Sequence, residues 1–98
     1  MTAIIKRPGR PAFRREIDNT LEALQELVDG YIETVNLPGG IVMIVNEEGK
    51  ILHLPINFHL NCDLIRGTAV FIGVDGEEFC SLNQAQENAV WRAMSHVV

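Results

Sequence analysis

The chain has 98 residues, 47% of them hydrophobic and 21% charged, with a formal charge of −5. That length fits one domain, residues 1–98, and excludes a two-domain enzyme carrying its own doubly wound cofactor fold, while the many Ile, Leu, Val and Phe residues exclude a disordered chain. The charge is unevenly divided: Lys6, Arg7, Arg10, Arg14 and Arg15 against Glu16 leave +4 on residues 1–16, and Lys50, Arg66 and Arg92 against twelve carboxylates leave −9 on residues 17–98.

Ala3 to Lys6 is a short apolar run stopped by Arg7-Pro8-Gly9-Arg10-Pro11, which predicts a first strand and a turn. Ala12 to Ile17 resumes as an extended segment with Phe13 and Arg14 on opposite sides. Asp18, Asn19 and Thr20 are candidate N-caps for a helix from Thr20 to Val28, with Leu21, Leu24, Leu27 and Val28 at helical spacing and Asp29-Gly30 as its stop. Tyr31 to Leu37 alternates in part, Pro38-Gly39-Gly40 turns the chain, and Ile41 to Val45 reads as a strand buried on both faces. The next turn, Asn46 to Lys50, places Gly49 where a positive φ is expected, and Ile51 to Leu54 leaves it as a strand. From Pro55 to Arg66 the apolar residues fit neither period, which predicts a loop, and loops of this kind carry function. Thr68 to Val74 is a central strand ending at Asp75-Gly76. Ser81 and Asn83 are both N-cap candidates, with Gln84 and Gln86 three residues on, for a final helix reaching His96. The fold expected is α+β: a mostly antiparallel sheet of four to five strands with two helices, because the turns are too short for parallel crossovers.

The start of the chain lacks the apolar core of a secretory signal, and no apolar run reaches the roughly 20 residues of a membrane span. Cys62 and Cys80 lack C-x-x-C spacing, as expected of reduced thiols. A cytoplasmic protein that does not engage membranes is the expectation.

His53, His59, Cys62 and Asp63 are close in sequence, but their spacing is not that of a zinc site, so no metal is expected. Cys62 near His59 lacks the electropositive setting of an activated thiol, and Cys80 reads as a small hydrophobe. Glu47-Glu48 and Glu77-Glu78 are adjacent in turns, which does not raise a carboxylate's pKa. G-x-x-x-x-G-K, G-x-G-x-x-G, H-E-x-x-H and G-x-S-x-G are all absent, and neither a catalytic site nor a cofactor is expected.

The remaining candidate is an anion or nucleotide site built from Arg7, Arg10, Arg14 and Arg15 together with Asn57 and Arg66. Guanidinium groups grip phosphate oxygens in a bidentate fashion, and amides read base edges. The same basic residues are equally read as a solvated sheet edge. The acidic remainder argues against non-specific duplex binding.

Asp18-Asn19-Thr20-Leu21-Glu22-Ala23-Leu24-Gln25, Gly30-Tyr31-Ile32-Glu33, Asn46 to Lys50, Leu54-Pro55-Ile56-Asn57, Asp63 to Thr68 and Ile72-Gly73 together resemble a family of small uncharacterised proteins. That family is catalogued as a domain of unknown function and occurs in bacterial phages, plasmids and mobile elements. The family pattern has an arginine after the asparagine of the Leu-Pro-x-Asn segment, where this chain has Phe58. The resemblance implies a mobile-element accessory protein, a group that includes many antagonists of host defence, and it supplies no catalytic residues. The function expected is therefore non-catalytic sequestration of a small nucleotide signal by a homo-oligomer, with Arg14, Arg15, Asn57 and Arg66 converging at a subunit interface. The alternatives are an acidic inhibitor of a host nuclease or restriction complex, and a structural or regulatory module.

Overall fold

A computed structural model describes residues 1–97, so Val98, the last residue of the expected domain, lies outside the described residues. The elements are β1 (Thr2–Lys6), β2 (Phe13–Glu16), α1 (Leu21–Val28), β3 (Ile32–Leu37), β4 (Ile41–Asn46), β5 (Ile56–Leu60), β6 (Asp63–Arg66), β7 (Ala69–Asp75), β8 (Glu78–Cys80) and α2 (Gln84–Met94). The main sheet is antiparallel with the order β2-β1-β7-β4-β3, and β8 joins β7 to make a sixth strand. β5 and β6 form a separate hairpin. The fold class is the α+β expected, with more strands than the four to five read from the sequence.

Every residue of β4 is buried, as its unbroken apolar run requires, because the sheet is covered on both faces. On one face α1 sets Leu24 and Val28 against Ala3, Ile5, Val42, Ile44, Val70 and Ile72. On the other, Val90 and Met94 of α2 and Phe58 and Ile65 of the β5–β6 hairpin cover Ile4, Met43 and Phe71. The result is three layers with the sheet in the middle.

The helix ends show why the chain stops where it does. Thr20 caps α1 by accepting from Ala23 N–H at 3.1 Å, and Asp29 takes the left-handed conformation at φ 60°. Asn46 then donates to the Val28 carbonyl, left without a helical partner, at 3.0 Å, and Gly30 has to lack a Cβ because one there would lie 2.6 Å from the Asn46 amide. For α2 the cap is Asn83, not Ser81, and with Gln86 it makes a complete capping box. Gln86 also donates to the carbonyls of Gly39 and Gly40 at 2.9 and 3.1 Å, tying α2 to the β3–β4 turn. α2 ends at Met94, short of the expected His96.

Three further expectations are corrected. Ile51–Leu54 is not a strand: Leu52 N–H bonds back to Glu48 O at 2.8 Å and Leu54 N–H to Gly49 O at 3.0 Å, so these residues coil into successive turns. Pro55–Arg66 is not a loop, since it holds the β5–β6 hairpin. Gly49 is not among the positive-φ residues; a Cβ on it would come within 3.1 Å of the Arg66 carbonyl, so closeness to β6 accounts for the glycine. Among the described residues no helix is long and apolar enough to cross a membrane.

Candidate functional site

The β1–β2 hairpin carries four of the six expected residues: Arg7 and Arg10 in its turn, and Arg14 and Arg15 on its edge strand. Gly9, at φ 69°, reverses the chain, and Arg10 N–H closes the turn onto Arg7 O at 3.2 Å. Register then decides where each side chain goes. Phe13 lies opposite Ile5 and Arg15 opposite Ala3, so both share the α1 side of the sheet, while Arg14 lies opposite Ile4 and faces α2.

The Arg7 guanidinium sits over the Phe13 ring, 5.2 Å from its centroid. Arg7, Arg10, Pro11 and Phe13 line a hollow of about 420 Å³ that contains no carboxylate. A second hollow, also about 420 Å³, shares Arg7 and runs between β2 and α1 past Arg15, Glu16, Asp18 and Glu26. Its three carboxylates oppose an anion more than its two guanidinium groups attract one, so the hollow at Arg7 and Arg10 is the better phosphate site. Among the described residues, Arg7, Arg10 and Arg15 form no ion pair, which leaves their guanidinium donors free for a ligand.

Arg14, on the opposite face of the hairpin, and Asn57 and Arg66 line neither hollow. Arg14 Nε donates to Glu87 at 2.9 Å, and its Nη2 lies 3.7 Å from Glu16, so its charge is committed within the fold. Asn57 is buried, donates to the carbonyls of Lys6 and Gly67 at 2.8 and 2.9 Å, and accepts from Lys6 Nζ at 3.0 Å, which uses its amide completely. Arg66 donates to Leu54 O at 3.1 Å and lines a different groove, beside Lys50 and Asp63. One chain therefore does not bring Arg14, Arg15, Asn57 and Arg66 onto a common surface.

Two participants are not singled out by the sequence. Phe13 supplies the aromatic floor of the hollow, and its only signal is an aromatic residue two positions after Pro11. Lys6 is fully buried, and its ammonium is held by Arg7 O at 2.7 Å and by Asn57. Burial pushes its pKa below the usual lysine value. Lys6 thereby fixes the backbone from which Arg7 projects. Among the described residues no group of three His, Cys, Asp or Glu side chains is placed to hold a metal ion.

The fold and surface together define a small three-layer α+β domain with a basic, aromatic-floored hairpin at one edge of its sheet. The chain belongs to the family described as a domain of unknown function (DUF3846), whose model matches residues 1–95. No curated protein and no solved structure matches the chain.

Proposed function

We propose that this protein is a non-catalytic, phage-type accessory protein that binds a small phosphate-bearing signal, a nucleotide by chemistry, on its β1–β2 hairpin and withholds it from a bacterial defence pathway. The observation that supports this reading is the carboxylate-free hollow in which Arg7 and Arg10 flank Phe13. Two guanidinium groups suit phosphate oxygens in bidentate geometry, and the planar Arg7 guanidinium over the Phe13 ring adds a flat surface of the kind on which bases stack. The mobile-element resemblance supplies the biological setting. Assembly belongs to the same reading, because an open hollow on a chain this small encloses a ligand only when a second subunit closes over it.

Isothermal titration against cyclic and linear nucleotides tests the proposal. Wild-type protein is expected to bind at least one of them with micromolar or tighter affinity, and Arg7→Ala with Arg10→Ala to lose at least about tenfold, the loss of a charge-assisted hydrogen bond. Binding that is absent across the panel, or unchanged in the double variant, overturns it.

A further inference from the structure

β3 ends the main sheet, so among the described residues the outer backbone edge of Ile32–Leu37 has no neighbouring strand. Natural edges are usually blunted by lysine, proline or a bulge. The six-residue run Ile-Glu-Thr-Val-Asn-Leu contains no lysine or proline and one charge, Glu33, and its register against β4 is unbroken from Ile32↔Asn46 to Leu37↔Ile41.

Beside this edge a groove of about 110 Å³ separates the sheet from β6, with room for one side chain and not for a whole small-molecule ligand. Its apolar walls are Val35, Val45, Leu64 and Ile65. Three more charged groups line it: Lys50 and Asp63 pair with each other at 2.7 Å, and Arg66 donates to Leu54 O, so with Glu33 and Glu47 the lining carries a net charge of −1 (three carboxylates against two cations). Glu33 and Glu47 also line it, and among the described residues neither carboxylate makes an ion pair or a side-chain hydrogen bond.

We infer that the edge of β3 is a docking site for an extended, basic segment of a partner protein, which adds as a further antiparallel strand. Backbone hydrogen bonds to Ile32–Leu37 would supply affinity, as in strand addition generally. A Lys or Arg side chain entering the groove lays its methylenes on Val35 and Val45 and its charge against Glu33 and Glu47, which sets the specificity. Charge decides between the two occupants that an open edge invites. The β3 strand of a second copy carries Glu33 and no cation, so it brings nothing to neutralise Glu33 and Glu47, whereas a basic strand does. This inference goes beyond the ligand reading and uses none of its residues.

The test is a titration of isotope-labelled full-length protein, followed through its amide resonances. Three eight-residue peptides serve as probes: one alternating threonine and lysine, its glutamate counterpart, and the lysine peptide N-methylated at alternate residues. The lysine peptide is expected to shift Ile32–Leu37 and Asp63–Arg66, to bind at least tenfold more tightly than either other peptide, and to lose at least tenfold on Glu33→Gln with Glu47→Gln, which keep the shape of both side chains. Equal binding of the lysine and glutamate peptides, shifts confined to other residues, or no binding overturns the inference. So does sedimentation showing a dimer whose β3 amides shift on dilution, because a second copy then occupies the edge.

Discussion

Lys6 and Asn57 hold each other from both ends: Asn57 Oδ1 accepts from Lys6 Nζ at 3.0 Å while Asn57 Nδ2 donates to the Lys6 carbonyl at 2.8 Å. The pair fastens the β5–β6 hairpin onto β1, one residue before the turn that carries Arg7 and Arg10. The Asn57 amide also reaches Gly67 O at 2.9 Å, so one side chain joins three segments of chain. The β1–β2 turn thus starts from a fixed backbone point.

Removing the amide leaves buried groups without partners. Asn57→Leu orphans the Lys6 and Gly67 carbonyls and leaves the ammonium on Arg7 O alone, which is expected to cost about 2–4 kcal/mol. Urea unfolding should show a lower midpoint with an unchanged slope. A variant as stable as wild type would show that the pair does not hold the hairpin in place.

Lys6 also gives stability a dependence on alkaline pH. Its folded pKa lies below the 10.5 of an exposed lysine because burial disfavours the charged form, so between those two values the unfolded chain binds more protons than the folded one. Stability contributed by this group therefore rises as pH increases toward 10.5, and below the folded pKa its full burial cost remains. Urea midpoints measured upward from pH 7 should climb in wild type, and that part of the climb should vanish in Lys6→Met. Parallel profiles would contradict this.

Arg14 is predicted to act on stability and not on the ligand. Arg14→Ala leaves the nearly buried Glu87 carboxylate without its cation; because Arg14 itself is about half exposed, the expected loss is only about 1–2 kcal/mol. Nucleotide affinity should stay within twofold of wild type. A large loss of affinity would place Arg14 in the site.

Two glycines should respond differently to alanine. At Gly73 a Cβ would lie 2.7 Å from the Ser81 carbonyl, where β7 meets β8, so Gly73→Ala is expected to cost about 1–3 kcal/mol through overpacking. At Gly9, at φ 69°, a Cβ meets nothing within 4 Å, and the cost is backbone strain alone, about 1–2 kcal/mol. Thermal unfolding reads both losses, and hydrogen exchange separates them: Gly73→Ala should speed exchange at Glu78–Cys80, and Gly9→Ala should not.

Much of the fold is legible in the residues themselves. The Pro38-Gly39-Gly40 hairpin, the doubly buried Ile41–Val45 run and the Thr20-capped helix all agree with local chemistry, and the structure contains each of them. The β5–β6 hairpin is hidden for two physical reasons. A register shift between Ile56 and Phe58 buries both Asn57 and Phe58, which destroys the period of two, and the turn is made by Asn61 and Cys62 at φ 49° and 68° without a glycine. β8 has only three residues, too few for a pattern. Residue type identifies the basic cluster but cannot separate Arg14 from Arg15; only the pairing of β1 with β2 sends one to Glu87 and the other to the α1 side of the sheet, with Phe13. Asn57 is misread for a related reason, since an amide's partners are long-range contacts.

The most direct measurement is amide chemical-shift mapping of the full-length protein titrated with ATP and a cyclic dinucleotide as probes. If the β1–β2 hairpin is the ligand site, saturable shifts fall on residues from Arg7 to Phe13 and disappear in Arg7→Ala with Arg10→Ala. Shifts that fall elsewhere, or no shift at millimolar probe, contradict it.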